Sequence, residues 1–246
     1  MKNHLSRVDV AYRSLRQAIM EQQLRPGTKL PEDEIGAAFG VSRTLVRQAL
    51  ARLNSDGLVD IGGKRTATVA RPSLDEAKAI FEVRRCLERQ VVQLVIARWR
   101  PEYGSQLEGH VREEMAANGT DAAVAIRLAG EFHLKLAEMA GNPLLLRYLT
   151  EVVSRCSLIL AVYGRPHSSE CAINEHHEII EALRTGDEAR AVAIMDEHVG
   201  SVEARALLKD RGAQEPLGDV LARYAAPASS PNLLAIAAQP KRRRKS

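Results

Sequence analysis

The chain has 246 residues, 45% of them hydrophobic and 27% charged, the balance of a soluble globular protein long enough for one large domain or two modest ones. Aromatic residues are only 4% of the total, which argues against a β-sandwich or barrel, whose strands favour aromatic and β-branched side chains, and for helices. The formal net charge of +4 includes a run of five basic residues from Lys241 to Lys245, so charge alone says little about nucleic acid.

No apolar run approaches the ~18 residues needed to span a bilayer, and the first residues lack a hydrophobic signal core, so a cytoplasmic protein with no membrane association is expected. Cys86, Cys156 and Cys171 are odd in number and lack the paired spacing of a zinc or redox motif; they read as reduced and mostly buried.

In chain order, Ala11, Leu15, Ala18 and Ile19 share one helical face, and Pro26-Gly27 closes that helix with a turn. A short helix follows Pro31 and breaks at Gly40. Ser42 then caps a third helix running through Val46, Ala49, Leu50 and Leu53 to about Asp56-Gly57. Two β segments, Leu58 to Ile61 and Ala67 to Val69, flank the basic turn Gly62-Gly63-Lys64-Arg65. Three helices and a hairpin predict a winged helix-turn-helix over residues 1–71.

Beyond Pro72 only helical periodicity remains. Ser73 to Glu76 form a capping box for a helix reaching about Trp99, and five more helices are predicted near 102–118, 120–140 with Thr120 as cap, 143–163, 169–185 and 187–209. The fold class is therefore mainly α, a winged helix-turn-helix followed by a six-helix bundle over residues 72–211. From residue 212 to 246 Ala, Pro and Ser accumulate without periodicity, which predicts a disordered tail with a basic end.

The segment from Leu24 to Val59 closely resembles the N-terminal domain of the GntR family of bacterial transcription regulators. Pro26-Gly27, Leu30-Pro31-Glu32, Gly40 to Thr44, Val46-Arg47, Ala49-Leu50 and Gly57 to Val59 carry the likeness. The second half is similar to the FCD effector domain of the FadR-like subfamily through Val83-Arg84 with Glu88, Phe132-His133, Gly141 to Leu144, Glu175-His176, Gly186-Asp187 and Met195 with His198. Six bundle helices rather than seven match the shorter, VanR-like branch.

The resemblance implies a dimeric, ligand-responsive regulator, usually a repressor, bound to an inverted-repeat operator in double-stranded DNA. Ser42, Arg43, Thr44 and Arg47 then stand at the front of the recognition helix, where Arg matches guanine O6 and N7 and hydroxyls reach phosphate. Lys64 and Arg65 in the wing either contact DNA or form a solvated turn. Two departures stand out: Leu45 replaces a usual Pro, and Asp33 replaces an Arg that contacts DNA, where a carboxylate would repel phosphate.

His133, His176 and His198 each lie on an apolar helical stripe, and such histidines serve either as hydrogen-bonded core residues or as ligands. The resemblance implies that they hold a divalent metal, zinc or nickel. Metal-binding relatives carry an Asp four residues before the first His, and Ala129 stands there instead. Three neutral imidazoles alone would leave the ion its full charge and weaken its hold. Arg84, one turn before Glu88, either forms an internal ion pair or meets the carboxylate of a small organic acid effector. His110, grouped with His4 and His167 near loops, is assigned no role. The rival readings are a metal-dependent hydrolase built on the three histidines, and a DNA-binding dimer that senses nothing.

Overall fold

The structure is a computed structural model of the chain and describes residues 6–63, 66–164, 170–206 and 217–224. The first helices follow the predicted order: α1 (Arg7–Met20), α2 (Glu32–Phe39) and α3 (Arg43–Ser55), then β1 (Val59–Asp60) and β2 (Thr68–Val69). Ser6 and Asp9 cap α1 reciprocally, and Gly40 ends α2 in the left-handed region at φ 62°. The β1–β2 pair is antiparallel, with Val59 opposite Val69, and Lys29 bridges to Thr68 as a third edge that the alternation pattern did not reveal. Leu15, Ile19, Leu30, Ile35, Val46 and Leu53 close the core beneath.

Six helices follow: α4 (Leu74–Ala97), α5 (Pro101–Ala117), α6 (Ala122–Met139), α7 (Pro143–Tyr163), α8 (Glu170–Thr185) and α9 (Glu188–Arg205). The ends match the sequence expectation to within a few residues. The largest differences in local chemistry are that Asp121 rather than Thr120 caps α6, and that Ser73 accepts from the Glu76 amide while the Glu76 carboxylate turns to Arg155 on α7, 2.5 Å away. The bundle core runs through Phe81, Val92, Leu107, Phe132, Leu149 and Met195. Cys156 is buried but Cys86 is exposed on α4, against expectation, because its helical position falls on the polar face. Among the described residues no helix is long and apolar enough to cross a membrane.

The two halves meet where α1 and the residues that follow it pack against α6 and α7. Gly57, at φ 71°, lies so close to Arg155 that a Cβ there would fall 2.8 Å from the guanidinium Nε, so both the backbone conformation and the space require glycine. Buried Glu21, just past α1, accepts from Gln17 at 2.9 Å and from Arg127 on α6 at 3.0 Å. Its other oxygen accepts from the Tyr224 hydroxyl.

Tyr224 belongs to α10 (Leu217–Tyr224), which corrects the expectation of disorder throughout 212–246. Its eight residues place Val220 and Leu221 on one face, and both are buried in the winged-helix core against α1 and α2. A helix this short gains little from propensity and is held by tertiary packing, which composition does not report. The basic run Lys241 to Lys245 lies outside the described residues. Leu221→Ala should cost the winged helix about 2–3 kcal/mol, the usual toll of a buried Leu truncation, seen as a lower urea midpoint at unchanged slope. An unchanged midpoint would mean that α10 does not hold this domain in solution.

Candidate functional site

Two sites are built on this frame. At the first, Ser42 begins α3, and its hydroxyl accepts from the Leu45 amide at 3.5 Å as the N-cap. Arg43, Thr44 and Arg47 are exposed on the first turns of α3, and the two arginines line a groove with Glu32, Asp33, Ile61 and Thr66. The N-terminus of a helix presents free amides and a partial positive charge, which suits phosphate. Arg43 and Arg47 are both engaged by carboxylates of α2, Asp33 and Glu32 respectively. Lys64 and Arg65 lie outside the described residues.

The second site lies within the bundle. His133 on α6, His176 on α8 and His198 on α9 are all buried, and one ring nitrogen from each lies within 4.8 Å of the others. The Nε2 atoms of His133 and His198 are 3.1 Å apart, and His176 Nε2 is buried with no hydrogen-bond partner among the described residues. Phe132 stacks on the His176 ring at a centroid separation of 3.9 Å and fixes its plane. His177, one residue on, is only partly buried and takes no part in the cluster.

The opposite ring edges explain this convergence. His176 Nδ1 lies 2.9 Å from Glu114, and His198 Nδ1 lies 2.6 Å from Glu175. His133 Nδ1 lies 2.8 Å from Glu88 Oε1, at ion-pair distance although off the line of a hydrogen bond. A carboxylate at Nδ1 favours the tautomer with its proton there and leaves the Nε2 lone pair facing inward. Burial pushes His133 down to about 4 and His198 well below the ordinary imidazole value, so both are neutral near pH 7. Burial alone would raise the Glu88 carboxyl, yet the His133 ring and the Arg84 guanidinium, which share its Oε1, hold it below the usual carboxylate range.

Sequence reasoning missed Glu114 altogether, although a signal existed. Leu107, Val111 and Glu114 follow one another on a buried stripe of α5, and an acid at a core position asks for a partner. His110 is likewise no loop residue: it is buried in mid-α5, with Nε2 2.8 Å from the Leu128 carbonyl. The expectation of a centre without protein negative charge is also corrected, because three glutamates touch the outer nitrogens.

A cavity of about 140 Å³ adjoins the histidines. His133, His198, Ala129, Arg84 and Arg205 line it, so the small Ala129 side chain leaves room beside the cluster, and Arg84 both pairs with Glu88 and faces the cavity. The remaining wall includes Gln22, which follows α1 of the winged helix and has a left-handed backbone at φ 57°, uncommon for a residue with a Cβ. One wall of the bundle's cavity thus belongs to the other domain.

Residues 7–69 match the bacterial regulatory proteins of the gntR family, and residues 79–201 match the FCD domain. The HTH-type transcriptional repressor NanR of Salmonella newport (strain SL254) is 30% identical over 216 residues, covering 77% of this chain and 81% of that protein. YdhC of Bacillus subtilis (strain 168), an HTH-type transcriptional regulator, is 28% identical over 178 residues, 70% of this chain and 79% of its own. In three dimensions the chain resembles E. coli McbR/YncC with a TM-score of 0.72 at 21% identity, over 81% of this chain and 96% of that one. A GntR transcriptional regulator from Rhodococcus sp. RHA1 gives a TM-score of 0.70 at 25% identity, over 82% and 98%. These relatives are regulators and not enzymes, which removes the hydrolase rival. The chain belongs to the GntR family of bacterial regulatory proteins, and it is a helix-turn-helix DNA-binding transcription regulator with an FCD effector-binding domain.

Proposed function

We propose that this regulator is a homodimeric repressor on an inverted-repeat operator, released by a small organic acid that enters the bundle beside a divalent metal, zinc or nickel. The observation that carries the reading is the convergence of three buried imidazoles, each with its outer nitrogen against a carboxylate. Tetrahedral zinc with Zn–N distances of about 2.0–2.1 Å sets ligand nitrogens about 3.3 Å apart, and His133 and His198 stand at 3.1 Å. The orphaned Nε2 of His176 is the third donor. The residues therefore fit a metal, and when bound it would supply open, Lewis-acidic positions toward the cavity. Arg84, although paired with Glu88, and Arg205 present guanidinium groups to the cavity wall, which also carries Glu114, and they are the donors an anionic ligand would use.

Arg43 and Arg47 read base edges, while Ser42 and Thr44, with Lys64 and Arg65 of the wing, contact the phosphate backbone. Because Gln22 lines the cavity, a ligand there would meet the segment that follows α1. Its differential affinity for two placements of the winged helix shifts their populations and hence operator affinity. The dimer reading is supported by exposed apolar side chains on two adjoining bundle helices, Val83 on α4 and Leu144 and Tyr148 on α7.

Calorimetric titration of the metal-free full chain with zinc or nickel tests the centre. His176→Ala should abolish binding, Glu114→Ala should weaken it by about 10- to 100-fold by freeing the ring it orients, and Ala129→Asp should tighten it. Metal binding unchanged in both His133→Ala and His176→Ala would reduce these residues to ordinary bundle lining.

Sedimentation at micromolar concentration should show a dimer that Val83→Glu shifts toward monomer. A wild-type monomer protecting one isolated half-site in footprinting would overturn the dimeric operator.

A further inference from the structure

Arg43 and Arg47 lie one turn apart on α3, and the first two residues of α2 each engage one of them. Arg43 Nε is 2.5 Å from Asp33 Oδ1, and its Nη2 is 2.9 Å from Oδ2. Arg47 Nε is shared between the two oxygens of Glu32, at 2.8 and 2.9 Å. These are not packing contacts forced by burial, since the Arg43 and Asp33 side chains are 67% and 68% exposed.

The choice of edge matters. A guanidinium has a side edge, formed by Nε and one Nη, and an end edge formed by both Nη groups. Asp33 occupies the side edge of Arg43 and leaves Nη1 and the outer hydrogen of Nη2 directed away. Glu32 takes only the Nε of Arg47, so both of its Nη groups remain. The end edge is the pair of donors that spans O6 and N7 of guanine in the major groove. Both acids stand in the first turn of α2, where the helix dipole favours carboxylates, so their own positions are supported.

We infer that Asp33 and Glu32 are positioning residues for sequence readout: each takes one edge of a recognition arginine and holds the other aimed into the major groove. The inference rests on Arg43 and Arg47 reading bases. It also reverses the meaning of Asp33, whose carboxylate disfavours phosphate but restrains a side chain that would otherwise sample many rotamers. Two carboxylates beside two guanidinium groups leave this stretch of the surface nearly neutral. Affinity for random DNA is thereby lowered, base preference sharpened, and the ratio of specific to non-specific binding raised at both ends.

The test uses the full chain and a random duplex DNA library. Wild-type protein selects a preferred sequence, and its binding to that duplex and to a scrambled one is compared with that of Arg43→Ala, Asp33→Ala and Asp33→Asn across a salt series. Arg43→Ala should lose one base preference and lower the specific to non-specific ratio by about 5- to 150-fold. Asp33→Ala should relax the same base position and lower the ratio by about 3- to 10-fold. It should also bind scrambled DNA severalfold more tightly at low salt. Asp33→Asn, which keeps one acceptor and loses the charge, should fall between. Loss of the base preference in Arg43→Ala with full retention in both Asp33 variants would overturn the positioning role, as would tighter binding to scrambled DNA with no relaxed position. An Arg43→Ala protein that selects the wild-type sequence unaltered would instead overturn the base contact on which the inference stands. Melting temperatures within a degree or two of wild type would separate these effects from misfolding.

Discussion

The bundle of α4 to α9 is organised around charge and polarity placed where a helical core ordinarily holds Leu and Val. Taking an ion from water into a protein interior costs several kcal/mol even after relaxation, and an ion pair of similar shape rarely recovers more than it loses. Here the cost is limited in two ways. Burial keeps His133 and His198 neutral, and the charge of Glu88 is matched by Arg84 on the oxygen that the His133 ring also meets. What remains is still a core less favourable than an apolar one of equal volume, with Glu88, Glu114 and His176 each retaining a polar atom without a hydrogen bond. A cluster that stability alone does not explain, beside a cavity, is the arrangement expected of a binding site.

The position of that cluster determines how the rest of the molecule can respond to it. Its cavity reaches the domain boundary at Gln22, and the preceding residue, Glu21, is tied by side-chain hydrogen bonds to α6 and α10. The chain between α1 and the loop to α2 therefore crosses a strained backbone, a buried carboxylate and a cavity wall within two residues. Interfaces packed in this way shift between discrete arrangements more readily than they bend, so on the proposed reading a small change at the wall would be transmitted as a change in the seating of the winged helix. Gly57 against Arg155 provides a second point of contact about which that seating is defined.

Much of this was legible in the sequence because periodicity reports burial. Ala11 to Ile19, Val46 to Leu53 and the stripes carrying His133, His176 and His198 announced their helices and their inward faces. What escaped detection depended on tertiary packing. The eight residues of α10 carry a helical stripe, Leu217, Val220, Leu221 and Tyr224, but it is too short to stand out from the Ala- and Pro-rich sequence around it, and it is held by packing on the winged-helix core. His110 was grouped with loop histidines although it falls midway along the helix predicted near 102–118, beside the stripe formed by Leu107, Val111 and Glu114. Asp33 could be seen to differ from the usual Arg, but its partner is ten positions away on another helix, and only the turn at Gly40 brings the two together.

The two ends of the molecule solve one physical problem with the same chemistry. Imidazole and guanidinium are planar groups with two working edges, and a side chain with free rotamers presents either edge to a ligand. At the metal-type cluster, Glu114 and Glu175 take the Nδ1 edge of their rings and Glu88 lies against a third, so the Nε2 atoms converge without a ligand to gather them. At the proposed DNA face, Asp33 takes the Nε and Nη2 edge of Arg43 and Glu32 takes the Nε of Arg47, which leaves the end edge of each guanidinium to the groove. In each case the orienting entropy is lost on folding rather than on binding, which is the general route by which preorganisation converts contacts into affinity and selectivity. The costs differ with the medium. In the buried cluster a missing carboxylate frees a ring within a packed core, where few other orientations exist, whereas at the exposed face it frees an arginine into water, where many do. On the proposed base readout, selectivity for DNA would therefore depend more steeply on Asp33 and Glu32 than the fold does, while the buried glutamates are shared between the integrity of the bundle and the shape of its site.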